Sequence, residues 1–373
     1  MNSFKRLLFT CLIVSFPVFA DVDTTSSMRG NVNVSGAEVS VTYEPTGATK
    51  TTTASDNGNF SLSFLPVGGP YTVSVSAPGY GTETLGDIYL VLTETTSVSV
   101  DLVSSSSVEE VVVTASKGSG AIKIGTGTTL DRAAMDAVPT ITRSVADFAK
   151  LDPRVSINTG DARSSEISVM GQNNRFNDFS IDGISFNDPF GLNANGFGTM
   201  RNPISLDFVD QISIDVTPFD VARGNATGGS IAVVTKSGSN DFKGTFYTTK
   251  RDQDNLGKLF GDIKFSTFSE EITTWTLSGP IIKDKLFFFV GYEEFEGSSP
   301  VLFGTKDSGA PNPAETFTTA MANEIKDIAM NVYGYDPGEI NNVSFPESQE
   351  QFTAKIDWSV SYTHLTLPTI YSV

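Results

Sequence analysis

The sequence predicts a mainly β protein: an N-terminal β-sandwich, a small mixed α+β domain, and then the first strands of a truncated transmembrane β-barrel. Three observations predict it. Through residue 103, short alternating runs recur between turn residues. From 126 to 238, strand-like pieces alternate with one short helical pattern and long glycine- and asparagine-rich loops. Beyond 239, strand-length runs set apolar side chains on one face and threonines on the other, the period-2 pattern of a strand between two different solvents.

Residues 1–20 have the layout of a secretory signal. Lys5 and Arg6 precede an apolar run over 7–19, and Val18-Phe19-Ala20 places small residues at the cleavage positions before Asp21. A lipoprotein signal on Cys11 would need small residues where Phe9 and Thr10 stand. The exported chain is therefore expected to start at Asp21. Cys11 is the one cysteine, so that chain can form neither a disulfide nor a thiolate metal site. The single histidine, His364, lies near the C-terminus, which removes Ser-His-Asp and Cys-His machinery. No enzyme, cofactor or metal is expected. A formal net charge of −18 opposes nucleic-acid binding. After the leader no stretch supplies the roughly eighteen apolar residues of a spanning helix, which leaves strands as a way through a bilayer.

In 21–103 the alternating runs are 38–43, 59–64, 71–76 and 98–102. Pro45-Thr46-Gly47, Asp56-Asn57-Gly58, Gly68-Gly69-Pro70 and Pro78-Gly79 separate them. Short strands at this spacing predict a sandwich. The run from Gly36-Ala37-Glu38-Val39 through Asp56-Asn57-Gly58-Asn59-Phe60, Leu65-Pro66 and Tyr71-Thr72-Val73 to Gly79-Tyr80 resembles a carboxypeptidase regulatory-like domain.

The linker, 104–125, contains Glu110, Val111, Val112, Val113, Thr114 and Ala115 between a serine tract and a glycine-rich stretch. A β-branched run without a hairpin partner suits addition to another protein's sheet edge, where the main chain supplies the hydrogen bonds. Those six residues closely resemble a TonB box, the segment grasped by the energy-transducing protein TonB.

Over 126–238, a short helix is expected at 144–151, ended before Pro153. Strands are expected at 167–170, 179–181, 212–216 and 231–235. The segment resembles a TonB-dependent receptor plug domain. The residues that carry the likeness are Arg143 to Phe148, then Ser180-Ile181-Asp182-Gly183-Ile184, and Phe208 to Ile214. They continue with Arg223-Gly224-Asn225-Ala226-Thr227-Gly228-Gly229-Ser230-Ile231. Asn225 departs from the proline usual there, while the double glycine keeps its register. Gly228 and Gly229 are expected to permit positive φ or close backbone approach. Asp182, Gly183, Arg223, Gly224, Gly228 and Gly229 are the plug-signature positions. Three glycine- or aspartate-bearing stretches, 118–123, 125–128 and 252–257, miss the phosphate-loop, dinucleotide and EF-hand patterns and are expected to be plain loops.

From 239 to 360 the start of a barrel is expected. Runs 272–282 and 286–295 form a hairpin about Lys283-Asp284-Lys285, with Leu286, Phe288, Val290 and Tyr292 on one face and Phe287 and Phe289 free to pack on the plug. Residues 278–289 closely resemble the early barrel of Oar-like TonB-dependent receptors. A long extracellular loop near 300–350 carries Phe317, Met321, Ile325, Ile328 and Val332 at helical spacing, with Gly334 ending the helix. A strand resumes at 352–360. Only about four to six strands fit, whereas relatives close with about twenty-two, so the sequence is expected to be an N-terminal fragment. Residues 361–373 look like a non-native tail.

The resemblance implies TonB-dependent transport of an unidentified extracellular ligand across the outer membrane of a Gram-negative bacterium. The partners are then the TonB complex and outer-membrane lipid, with a periplasmic N-terminal domain. A glycan-importing SusC-like class also carries such a domain, but Val113-Thr114-Ala115 suits the Oar-like class better. A surface adhesin of tandem β-domains would leave the plug signature without a reason.

Overall fold

The computed structural model describes residues 24–92, 94–104, 122–123, 127–140, 143–161, 164–217, 227–255, 268–301, 303–341, 343–360 and 363–372. The chain divides into two compact units. One joins the stretch up to Glu44 with Thr49–Asn202 and Asp210–Thr235. The other joins Pro45–Ala48 and Pro203–Val209 with the residues from Lys236 onward.

The sandwich comprises β1 (Thr25–Val32), β2 (Glu38–Tyr43), β3 (Ala48–Thr53), β4 (Asn59–Pro66), β5 (Gly68–Ser76), β6 (Glu83–Leu90), β7 (Glu94–Val100) and β8 (Ile122–Lys123). They form two four-stranded sheets, ordered β4-β1-β7-β8 and β3-β2-β5-β6. Alternation decides the faces: Val39, Val41, Tyr71, Val73 and Val75 enter the core with Met28, Phe60, Val98 and Val100 from the opposite sheet. The Tyr71 hydroxyl donates to Pro66 O at 2.6 Å, and burial lifts its pKa well above that of a free tyrosine. The sequence pattern singled out β2 and parts of β4, β5 and β7. It passed over β1, β3 and β6: β1 and β3 are mostly polar, β6 interrupts its apolar residues with Gly86 and Asp87, and the partners of β1, β4 and β7, are remote in sequence.

The mixed domain comprises β9 (Gly127–Leu130), α1 (Arg132–Asp136), α2 (Val145–Ala149), β10 (Val155–Asp161), β11 (Ser164–Val169), β12 (Asp178–Ile181), β13 (Ile184–Ser185), β14 (Val209–Asp215) and β15 (Ser230–Thr235). One five-stranded sheet runs β13-β12-β15-β14-β9, and β10-β11 is a separate hairpin. The expected helix is present, capped by Ser144 Oγ accepting from Ala146 N at 3.2 Å. β12 and β15 pair in parallel, with Phe179 beside Ile231 and Ile181 beside Val233. Every residue of both strands is buried, as expected of central strands covered on both faces.

The second unit is built on β16 (Lys243–Asp252), β17 (Ser269–Ile282), β18 (Leu286–Pro300), β21 (Ser344–Val360) and β22 (Thr363–Ser372). Between β18 and β21 come β19 (Phe303–Gly304), β20 (Asn312–Pro313) and α3 (Thr319–Tyr333). The long strands form one antiparallel meander, β16-β17-β18-β21-β22. The expected hairpin about Lys283-Asp284-Lys285 is present, with Asp284 at φ 63. The helix begins at the Thr318 cap and ends at Gly334 in the left-handed region. The connecting loop is shorter than expected because β18 extends to Pro300 and β21 begins at Ser344. The backbone of 363–372, set apart in the sequence reading, pairs with β21.

Two stretches expected to be loops contribute strands: Ile122–Lys123 form β8, and Gly127 and Thr128 open β9. Their partners, Glu94 with Thr95 and Ile214 with Asp215, are too distant in sequence for a local pattern to reveal. Asp252 ends β16, and its Oδ1 accepts from Asp254 N and Asn255 N, closing a turn; residues 256 and 257 of that stretch lie outside the described residues.

Candidate functional site

The six residues read as a partner-binding strand, Glu110 to Ala115, lie outside the described residues, as do Arg223 and Gly224. The described residues flanking the first of these segments are both held by the sandwich. Ser104 bridges Tyr80, and Lys123 and Ile122 pair with Glu94 and Thr95.

Asp182 and Gly183 form the turn of the β12–β13 hairpin, with φ 47 and φ 80. Two successive positive φ values are what a two-residue turn of this twist requires, and Asp-Gly supplies them at least cost. The Asp182 carboxylate then accepts from Thr235 N at 2.9 Å and from Thr235 Oγ1 at 2.5 Å, fixing the end of β15. Gly228 and Gly229 have no positive φ and serve close approach instead. A Cβ on Gly228 would stand 2.5 Å from Asn177 Oδ1, and one on Gly229 would stand 2.7 Å from a Val169 methyl. Asn177 staples this crossing: Oδ1 accepts from Gly229 N at 3.0 Å, and Nδ2 donates to Ile167 O at 2.6 Å. The structure therefore brings Asp182, Gly183, Gly228 and Gly229 into one sheet as architectural residues.

Sequence reasoning missed a buried carboxylate. Asp152 is fully buried, and Arg154 grips it with Nε at 2.9 Å and Nη2 at 2.6 Å, while Thr128 Oγ1 donates at 2.9 Å. The Arg154 hydrogen bonds hold the Asp152 carboxyl down at about 2. The contact ties the first strand of the mixed domain, β9, to the turn after α2. Its one local signal was Asp-Pro-Arg at 152–154. A second missed feature is the 188–193 loop. Asp188 accepts from Asn193 N at 2.7 Å and from Phe190 N and Gly191 N at 3.0 Å, which lowers its pKa. That fixed loop exposes Phe190 and Leu192 almost completely.

The meander has two unlike faces. Thr274, Thr276 and Ser278 on β17, and Gln351, Thr353, Lys355 and Asp357 on β21, are buried. Trp275, Leu277, Phe352, Ile356 and Trp358, between them in sequence, are exposed. Register lines up Phe246, Trp275, Tyr292 and Phe352 across four strands. The rings of Trp275 and Tyr292 stack at 6.0 Å. One step outward Thr273, Glu294 and Glu350 align, and near the other end Trp358 stands opposite Leu286, beside the Lys283-Asp284-Lys285 turn. An apolar band with aromatic margins and charges beyond both ends is the pattern that a strand facing a bilayer requires. On the inner face Phe289 meets Phe208 edge to face at 6.2 Å, as the sequence pattern anticipated for Phe287 and Phe289. There Glu293 Oε2 also accepts from Ser205 Oγ at 2.5 Å and Thr274 Oγ1 at 2.8 Å. Among the described residues no group of three His, Cys, Asp or Glu side chains is placed to hold a metal ion.

Comparison with known families finds three matches along the chain. Residues 26–103 match the carboxypeptidase regulatory-like domain, residues 123–230 the TonB-dependent receptor plug domain, and residues 234–367 an outer membrane beta barrel domain. The chain is similar to the TonB-dependent transporter Oar of Myxococcus xanthus, with 33% identity over 163 residues, 40% of this chain and 14% of that protein. Among solved structures it is similar to the outer membrane transporter YddB from Escherichia coli, at 17% identity and a TM-score of 0.46, covering 66% of this chain and 32% of that one. The siderophore receptor PirA from Acinetobacter baumannii gives 12% identity and a TM-score of 0.40, covering 66% and 39%. The chain thus spans well under half the length of these relatives.

Proposed function

On the premise that the chain carries the domains of a TonB-dependent receptor of the Gram-negative outer membrane, we propose that it serves TonB-dependent uptake of an extracellular ligand. The observation that carries this reading is the inverted meander, apolar outward and polar inward, directly following a plug-type domain. In this reading residues 1–20 are a signal peptide, 21–103 a periplasmic sandwich, 104–125 the linker, 126–238 the plug and 239–360 the first part of the barrel. Ligand meets the plug loops and the extracellular loops from outside. The segment from Glu110 to Ala115 adds as a strand to TonB, whose pull displaces the plug and opens the lumen. The chain has no catalytic role of its own.

Main-chain pairing gives a direct test. Val112→Ala keeps the backbone donor, and Val112→Pro removes it. Purified TonB C-terminal domain is expected to bind the alanine variant nearly as well as the wild type and the proline variant much more weakly. Equal binding of the two variants would refute the strand-addition reading.

A further inference from the structure

Within the first unit, one face of the plug sheet is chemically odd. Gln211, Ser213, Ala232 and Val234 are all buried, yet the first three are small or polar beside the Ile212, Ile214 and Ile231 that alternate with them. Part of this face is covered by the sandwich. Val67, between β4 and β5, and Leu92, between β6 and β7, form one apolar cluster with Ala232 and Val234. Gln211 closes the contact: Nε2 donates to Leu90 O at 3.1 Å, and Oε1 accepts from Leu92 N at 3.0 Å. The side-chain amide pairs with the backbone as a neighbouring strand would, satisfying two main-chain groups that the turn after β6 leaves open.

The same turn leads into the strand that holds the linker. β7 begins at Glu94, and Glu94 and Thr95 carry the two pairings that define β8. Only residues 124–126 separate β8 from β9, which is fixed in the plug sheet through Ile212 to Asp215. Four peptide steps, from Lys123 to Gly127, reach at most roughly 14 Å. The sandwich cannot move far from the plug without peeling β8 from β7. Peeling leaves Ser104 and Gly127 as the fixed described residues on either side of the linker.

We propose that the sandwich is a docked regulator of the linker, seated on the plug through Gln211 and the Leu92 turn, and that its release lengthens the reach of 110–115 toward its periplasmic partner. The docking stands on the contacts above, while the partner clause rests on the reading of 110–115 as a TonB-binding strand. Four modest apolar side chains and one amide make a contact small enough to open, and the reach of a linker grows with its free length.

Hydrogen exchange and TonB binding, measured on the full chain in detergent, separate the two clauses. The double variant Gln211→Leu, Leu92→Ala removes both hydrogen bonds of the Gln211 amide and much of the cluster. Exchange in the Leu90–Leu92 turn is expected to rise about tenfold while β2 and β5 keep their protection. TonB C-terminal domain is expected to bind the variant about tenfold more tightly than the wild type. Unchanged exchange at the turn overturns the docking. Raised exchange with unchanged TonB affinity overturns the control of the linker. Absence of TonB binding in both chains overturns the reading of 110–115 and leaves the docking to the exchange result. Should β2 and β5 also lose protection, the sandwich has unfolded, and the milder Val67→Ser with Gln211→Ala decides by the same readouts.

Discussion

The sandwich and the meander are both antiparallel sheets with period-2 alternation, and they point that alternation in opposite directions. In β5, Tyr71, Val73 and Val75 face a core while Thr72 and Ser74 face outward. In β17 and β21, threonines, Gln351, Lys355 and Asp357 are buried while Trp275, Leu277, Ile356 and Trp358 are exposed. Backbone geometry is the same in each, so on the proposed reading the difference lies in the solvent. A sandwich in water gains by hiding its valines. A strand in lipid gains nothing by hiding a leucine and must instead satisfy polar groups inside. The contrast teaches that the sense of the alternation, and not its period, identifies the membrane region.

Substitutions that place a charge on the apolar face of each sheet should break the contrast most sharply. Val73→Asp buries an unpaired carboxylate and is expected to cost more than about 4 kcal/mol, enough to unfold the sandwich, as seen by loss of its cooperative melting transition. Val290→Arg on the outward face of β18 is expected to cost about 2–4 kcal/mol in lipid, measured by urea titration in vesicles. Equal tolerance of Val290→Arg and of a charge on a solvent-facing sandwich position such as Thr72 would put the outward face of β18 in water.

The plug sheet obeys neither rule, because both of its faces are covered, and its polar ties then matter individually. Asp152→Asn is expected to cost about 1–3 kcal/mol near neutral pH by weakening the Arg154 and Thr128 contacts. The Asp152 carboxyl is held at about 2, below its ordinary 3.8. A depressed folded-state pKa gives stability that is present above the ordinary value and lost as pH falls through the depressed one. The difference between wild type and variant should therefore shrink between pH ~4 and pH ~2. A gap that stays constant across that window would contradict the Arg154 assignment. A smaller effect, within about 0.5 kcal/mol, is expected for Ile328→Ser on exposed α3, read from the same melts.

What the sequence made legible follows from the range of each interaction. The hairpin about Asp284, the α3 helix ending at Gly334 and the Ser144-capped helix rest on neighbours within a few residues, and all three were readable. The outward face of β18 was readable because Leu286, Phe288, Val290 and Tyr292 alternate. Strands β1 and β9 were not, since their residues are largely polar and their partners lie far along the chain; β3 is almost wholly polar, and β6 breaks its apolar residues with Gly86 and Asp87. The role of Gly229 was half legible: the need for a glycine was visible, but the Val169 methyl that imposes it was not. Asp152 and Gln211 were illegible for the same reason. A buried polar side chain looks like any surface one until its partners are placed.

The claim on which the account rests is that the outward face of the meander lies against lipid, and the chain supplies its own probes. It has two tryptophans, Trp275 and Trp358, and both stand on that face, 41% and 52% exposed. Intrinsic fluorescence in vesicles of lipid brominated along the acyl chain, set against aqueous iodide, decides where they are. The account predicts strong quenching by the brominated lipid and little by iodide. Strong iodide quenching without any effect of brominated lipid would put both side chains in water and contradict it.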